Sequence, residues 1–279
     1  NGGPEVLQWA SVELPAPQEK EVTIRQKAVG LNFIDIYFRN GLYSNPLPHG
    51  LGFEASGIVE AAGSGVTHLK VGDRVAYGQS PLGAYAEARN VPADRVVRIP
   101  DGITFEQAAA MMLKGLTCWY LLRQTYRVHE GQTILFHAAA GGVGLYACQW
   151  ARALGVKLIG TVSSPEKAAL AKENGAWEVI DYSHEDVVQR VLELTNGQKV
   201  PVVYDGVGKD TWERSIDCLA AAIYYEAASE SEEGQRAVAQ VVLNRVRHPA
   251  YPNSVCGVVY QGSQRATGCQ FTFTCDGSL

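Results

Sequence analysis

Three absences bound this chain of 279 residues before any motif is read. No stretch approaches the roughly 18–20 uninterrupted apolar residues that a membrane span needs. No run of Lys or Arg is long enough to give the electrostatic footprint of a nucleic-acid binder, and the formal net charge is −5. The opening Asn1-Gly-Gly-Pro has neither the basic nor the apolar part of an export signal. The expectation is a cytoplasmic protein with no nucleic-acid and no membrane partner. With 46% hydrophobic residues the chain can fill real cores, and its length allows about two domains.

Cysteine is sparse over most of the length, which excludes a disulfide-stapled scaffold there. Cys118, Cys148 and Cys218 are scattered among apolar or helical patterns and read as reduced core thiols. Cys256, Cys269 and Cys275 fall within twenty residues of one another in a Gly-rich, aromatic segment, a density typical of exported proteins. The two patterns point to mixed origin. Three thiols cannot all pair, so a disulfide among them stays open.

Residues 1 to about 110 alternate short apolar runs with Gly, Pro and Asp turns, as in Glu21-Val-Thr-Ile-Arg, Ala55-Ser-Gly-Ile-Val-Glu and Gly72-Asp-Arg-Val-Ala-Tyr. This is the pattern of many short strands. From Phe105 the pattern turns helical, and from Thr133 strand and helix alternate. Thr133-Ile-Leu-Phe-His reads as a buried strand and Gly142 to Leu154 as a helix with Val143, Ala147, Trp150, Ala151 and Leu154 on one stripe. Lys157-Leu-Ile-Gly-Thr-Val is the next strand. Ser164-Pro-Glu-Lys opens a helix that Asn174-Gly175 closes. Glu178-Val-Ile-Asp, a helix from His184 to Leu194 and the strand Val200-Pro-Val-Val-Tyr-Asp follow. The helix of Asp210 to Cys218 should then lead into a fifth strand. Instead Ala220-Ala-Ala-Ile-Tyr-Tyr-Glu-Ala begins a second run of helices, and the alternation breaks in mid-fold.

Ala139-Ala-Gly-Gly-Val-Gly is a variant of the G-x-G-x-x-G dinucleotide fingerprint, with Ala139 in the place of its first glycine. Gly141 lets backbone approach a pyrophosphate, Gly144 lets helix pack on strand, and the helix N-terminus offers N–H groups to the anion. Sites for NAD carry an Asp or Glu at the end of the second strand. Here that strand ends Gly160-Thr-Val-Ser-Ser, with no carboxylate to repel a 2′-phosphate. Ser163 and Ser164 can donate to it, and Lys167 lies one turn on. The favoured cofactor is NADPH; the alternative is that Ser164 is only a cap and Lys167 only a solvated charge.

Asn32-Phe-Ile-Asp-Ile-Tyr, Gly50-Leu-Gly-Phe-Glu-Ala-Ser-Gly, Val71-Gly-Asp-Arg-Val, Gly83-Ala-Tyr-Ala-Glu, Leu113-Lys-Gly-Leu-Thr, Phe136-His-Ala-Ala-Ala-Gly-Gly-Val-Gly and Val203-Tyr-Asp-Gly-Val-Gly occur in one order and spacing. Together they resemble the zinc-free, zeta-crystallin-like quinone oxidoreductases of the medium-chain dehydrogenase superfamily, from residue 1 to Leu219. The resemblance implies an α/β protein: a β-rich GroES-like catalytic domain over 1–110 lacking its first strand, then a truncated Rossmann doubly wound parallel sheet over 111–219. It implies hydride transfer from NADPH to a quinone or related enone, and a homodimer. Zinc relatives carry Cys at the position of Asn32 and His at that of Phe53, so no metal is expected.

The same resemblance makes Asn32 and Tyr37 polar residues facing nicotinamide or substrate, with Tyr43 at the mouth of the cleft. Gly141, Gly142, Val143 and Gly144 would hold the pyrophosphate. Ser163 and Lys167, with Tyr182 beside them, would hold the 2′-phosphate. Lys114 and Thr117 would lie near the cofactor at a helix start. The dull alternatives are that Asn32 fixes a turn, Tyr37 is half-buried core and Lys114 is a surface charge. The family's first strand and its later sheet strands are missing, and an open sheet edge is costly, so impaired activity is expected.

Ala220-Ala-Ala-Ile-Tyr-Tyr-Glu-Ala-Ala-Ser-Glu, Gly234-Gln-Arg-Ala-Val-Ala-Gln-Val-Val-Leu-Asn-Arg-Val and Gly268-Cys-Gln-Phe-Thr-Phe-Thr-Cys resemble the start of a cell-wall hydrolase of the spore-cortex-lytic type. This implies a mainly helical fragment over 220–279 with Glu226 as the acid for cleaving peptidoglycan glycosidic bonds. Glu230 shares its helix face, and a solvated acidic face is the alternative. Three readings therefore stay open: a quinone reductase, a cell-wall hydrolase, and a non-enzymatic chimera of two gene fragments.

Overall fold

A computed structural model describes residues 1–79, 81–208, 211 and 215. The chain divides into two compact units, Asn1–Thr117 and Cys118 onward.

In the first unit the alternating apolar runs form a five-stranded antiparallel sheet. Its strands are β1 (Glu21–Gly30), β2 (Glu54–Ala62), β3 (Arg74–Tyr77), β4 (Ala88–Pro92) and β5 (Val96–Arg98), in the order β4-β1-β2-β3-β5. Val22, Ile24, Ala55, Val59, Val75, Tyr77, Val91 and Val96 form its core. The β1–β2 register runs to the pair Gly30↔Glu54, so β1 ends where β2 begins. The chain then enters α1 (Phe33–Asn40), whose first turn is fastened by Asp35: its Oδ2 accepts the Asn32 N–H at 2.9 Å. Gly41, at φ 85°, closes α1 in the left-handed conformation that glycine adopts without strain. Helix α2 (Phe105–Trp119) packs its Ala108 against Ala76 and Ile99.

In the second unit β6 (Thr133–Phe136), β7 (Lys157–Val162), β8 (Glu178–Asp181) and β9 (Val203–Tyr204) make a parallel sheet in the order β8-β7-β6-β9. Helices α3 (Gly142–Ala153), α4 (Pro165–Glu173) and α5 (Val187–Leu194) are the crossovers. The stripe expected on α3 is the one that packs: Ala147 and Ala151 are fully buried, and Val143, Trp150 and Leu154 close over the same core. Ser164 caps α4, its hydroxyl accepting the Lys167 N–H. The helix expected from His184 begins at Val187 instead. Asp186 accepts the Gln189 N–H and is the stronger cap, while residues 182–185 form the turn before it. The last strand is also shorter than expected, two residues rather than six.

Cys118 and Cys148 are free, buried thiols, and burial pushes them up to about 12 and about 11. They are inert, as core thiols are. The helix of Asp210 to Cys218 has only Thr211 and Ser215 among the described residues. Cys218, Glu226, Glu230, Cys256, Cys269, Cys275 and the whole of 220–279 lie outside them.

Candidate functional site

A parallel sheet brings the C-terminal ends of all its strands to one edge, where ligands of such sheets bind. Four chain segments meet that rule here. His137 to Gly141 leave β6, Ser163 leaves β7, Tyr182 leaves β8 and Asp205 leaves β9. Three of the four contain residues singled out from sequence.

After β6 the chain turns through Ala138, a non-glycine residue at φ 53°, and the Gly141 N–H bonds back to the Ala138 carbonyl at 2.8 Å. Gly141 is the N-cap of α3, and no side chain caps the helix there, so its first amides face the edge of the sheet. A Cβ on Gly144 would lie 2.5 Å from the carbonyl oxygens of Ala138 and Ala139; only glycine permits this close crossing of turn and helix. Gly141 and Gly142 are exposed, Val143 half-buried. Ala139, where the fingerprint has glycine, is fully buried, and the space for its methyl comes from Gly160 on β7.

At the end of β7 the Lys167 Nζ donates to Ser163 Oγ at 2.9 Å, so ammonium and hydroxyl form one exposed pair. Tyr182, at the end of β8, is partly exposed, and its own N–H bonds to the Val162 carbonyl at 3.1 Å. The donor set is right for a 2′-phosphorylated dinucleotide: uncapped helix amides, a hydroxyl and a cation, with no carboxylate at the end of β7.

Behind the turn lies a polar group that sequence reasoning missed. The His137 ring, buried after β6, bonds Thr161 Oγ1 at 2.9 Å through Nδ1 and Ser215 Oγ at 3.0 Å through Nε2. Asp205 accepts from Ser215 at 2.6 Å, from Thr211 at 2.7 Å and from the N–H groups of Val207 and Gly208. Burial opposes the charge on Asp205, yet the Gly208 N–H, the two hydroxyls and His137 together hold its carboxyl below the ordinary value. These bonds tie the ends of β6, β7 and β9 to one another.

In the first unit Asn32 does not use its side chain to cap α1. Its Nδ2 donates to Glu54 Oε1 at 2.8 Å, and its Oδ1 accepts from Lys114 Nζ at 2.9 Å. Lys114 also meets Glu54 Oε1 at 2.7 Å, and the Leu113 N–H donates to Oε2 at 2.6 Å. Glu54 is 0% exposed and Lys114 17%. A side chain on Gly30 would collide with Glu54 Oε1, so the residue paired with Glu54 in the sheet has to be glycine. Lys114 and Thr117 lie in the C-terminal half of α2, which starts at Phe105, rather than at a helix start. The Thr117 hydroxyl donates to the Leu113 carbonyl at 2.7 Å.

Tyr37 lies in the middle of a chain of edge-to-face rings, 5.5 Å from Phe33 and 5.4 Å from Tyr43. Tyr43 is 45% exposed and Phe33 70%. Beneath them Tyr85 donates to the buried Asp35 at 2.7 Å, and burial with that neighbour raises the phenol above its ordinary value. Glu54, Asp35 and Tyr85 were not foreseen. The one signal was a lone acid inside the apolar run Leu51-Gly-Phe-Glu-Ala. At Asn32 and Phe53 an amide and a phenyl stand, neither a zinc ligand.

Three family models match successive stretches of the chain. Residues 18–101 match the alcohol dehydrogenase GroES-like domain, 142–222 the zinc-binding dehydrogenase model and 229–279 the cell wall hydrolase model. Quinone oxidoreductase of Pseudomonas aeruginosa is 66% identical over 220 residues, 78% of this chain and 68% of its own. A crystal structure of Escherichia coli quinone oxidoreductase complexed with NADPH superposes with a TM-score of 0.77 at 58% identity, covering 79% of this chain and 68% of that one. The quinone oxidoreductase of Pseudomonas syringae gives the same TM-score at 65% identity, with the same two coverages. With a GroES-like unit followed by a Rossmann unit, and 66% identity to a quinone oxidoreductase over 68% of that relative's length, the chain belongs to the quinone oxidoreductase family, and its residues 229–279 match the cell wall hydrolase model.

Proposed function

We propose that the chain transfers a hydride from NADPH to a quinone or related enone, without a metal. The observation that carries this reading is the glycine turn at the end of β6, with its uncapped helix, beside the Lys167–Ser163 pair at the end of β7. Bound NADPH supplies the hydride, and the protein supplies position and electrostatics. The backbone of Gly141, Gly142, Val143 and Gly144 holds the pyrophosphate. Ser163 and Lys167 neutralise the 2′-phosphate, with Tyr182 beside it. On the first unit Asn32 presents its amide, and Tyr37 and Tyr43 offer aromatic faces that suit a flat, conjugated substrate. Lys114 and Thr117 complete that site.

Fluorescence titration with NADPH and NADH tests the reading, with quinone-dependent oxidation of the nucleotide as the second measurement. Saturable binding that prefers NADPH, and is weakened about tenfold or more in Lys167→Ala by loss of a charge-assisted bond, is the expected result. Binding of neither nucleotide would refute it.

A further inference from the structure

Reduction of a quinone by hydride alone leaves an oxyanion; a proton has to arrive at that oxygen. We propose that Lys114 is a catalytic residue that donates this proton, with Glu54 and Asn32 as the residues that position it. The inference rests on the quinone-reductase reading of the same site.

The geometry assigns the three roles. An ammonium has three donors. In Lys114 one goes to Glu54 Oε1 at 2.7 Å and one to Asn32 Oδ1 at 2.9 Å. Among the described residues the third reaches only the Leu31 carbonyl, at a stretched 3.4 Å. A substrate oxygen competes easily with a bond that long. The pair is lopsided in the way a proton donor requires: the Glu54 carboxylate is wholly buried while the Lys114 side chain is 17% exposed. Glu54 is itself fixed from two directions, by the Leu113 N–H on Oε2 and by Asn32 Nδ2 on Oε1. Neither oxygen can turn to follow the lysine, so the ammonium stays in place. A surface ion pair with no further purpose has no reason to hold a buried acid with this many donors, since burying the charge is costly.

The step balances simply. Hydride from the nicotinamide adds to the quinone, the ring electrons move onto the far oxygen, and the N–H bond of Lys114 breaks as the O–H bond forms. The lysine, left as an amine, recovers its proton from water. In the same position the ammonium first stabilises the growing negative charge.

A nitrophenol reads this without turnover, because its anion imitates the hydroquinone oxyanion and absorbs differently from the neutral phenol. Titrated into the full chain, alone and with NADP⁺, 4-nitrophenol is expected to bind as phenolate. In Lys114→Met the bound phenolate share should fall at least tenfold, in Glu54→Gln by a smaller factor, and Lys114→Arg should keep it. Addition of methylamine to Lys114→Met should restore part of both the phenolate band and quinone turnover, which a merely structural lysine would not allow. Reductive ¹³C-methylation of the wild-type lysines adds a reading that needs no stable variant: one lysine resonance should move on adding nitrophenolate. Nitrophenol that binds neutral or not at all to the wild-type chain, or an unmoved lysine spectrum, would overturn the proposal even where NADPH binds normally.

Discussion

Ala139 and Gly160 share one methyl group's worth of space: a Cβ added to Gly160 would sit 2.5 Å from the Ala139 Cβ. The two face each other from the turn after β6 and from the middle of β7, both fully buried. The methyl that Ala139 adds to the turn is accommodated by the missing side chain at Gly160.

Gly160→Ala should cost about 1–3 kcal/mol of stability, the ordinary penalty of overpacking. Ala139→Gly in the same chain should recover most of it, because the second change vacates the volume the first demands. A double-mutant cycle by urea denaturation checks the coupling. Additive effects would mean that the two sites relax independently.

Ser163→Asp places a carboxylate at the end of β7, where a 2′-phosphate is expected. NADPH affinity should drop by about tenfold or more, while NADH holds or improves, since the new acid can bond the ribose hydroxyls. Competitive titration of the two nucleotides measures the ratio. An unchanged ratio would place the 2′ position elsewhere.

Asp205→Asn addresses the hydrogen bonds behind the turn. The native carboxyl titrates below its ordinary 3.8, so its charge stabilises the fold at neutral pH, and that contribution is lost as pH falls through the lower folded value. The variant should be less stable at pH 7 by about 1.5–3 kcal/mol, the worth of a bond to a charged group. The gap should close as pH drops below 3.8. Denaturation midpoints at neutral and acid pH compare the two; a gap independent of pH would mean that shape, not charge, is what Asp205 contributes.

What the sequence made legible was local. Ser164-Pro165 at a helix start, the short apolar runs of β7 and β8, and the stripe on α3 are signals carried by residues within a turn or two of one another, and they appeared with little change. The helix start at Asp186 was misplaced because His184 and Asp186 both stand before the same apolar run, and only the hydrogen bond to Gln189 decides between them. The role of Glu54 could not be read from its neighbours in the chain. Its partners Asn32, Leu113 and Lys114 are 22, 59 and 60 residues away, and a charge within an apolar run says only that something must satisfy it. The link from His137 to Ser215 spans 78 residues and was invisible for the same reason.

Everything proposed to touch the nucleotide on the second unit stands in the turns and first helical turns that follow the strand ends, while the residues that hold the unit together, Ile134, Leu135, Leu158, Ile159 and Ile180, stand inside the strands. Selection for a different cofactor can therefore rewrite Ser163 or Lys167, an exposed pair, without disturbing the core. The Gly160–Ala139 pair is an exception, a place where a change in the turn must be answered inside the sheet, and it is there that drift in this family should leave correlated substitutions.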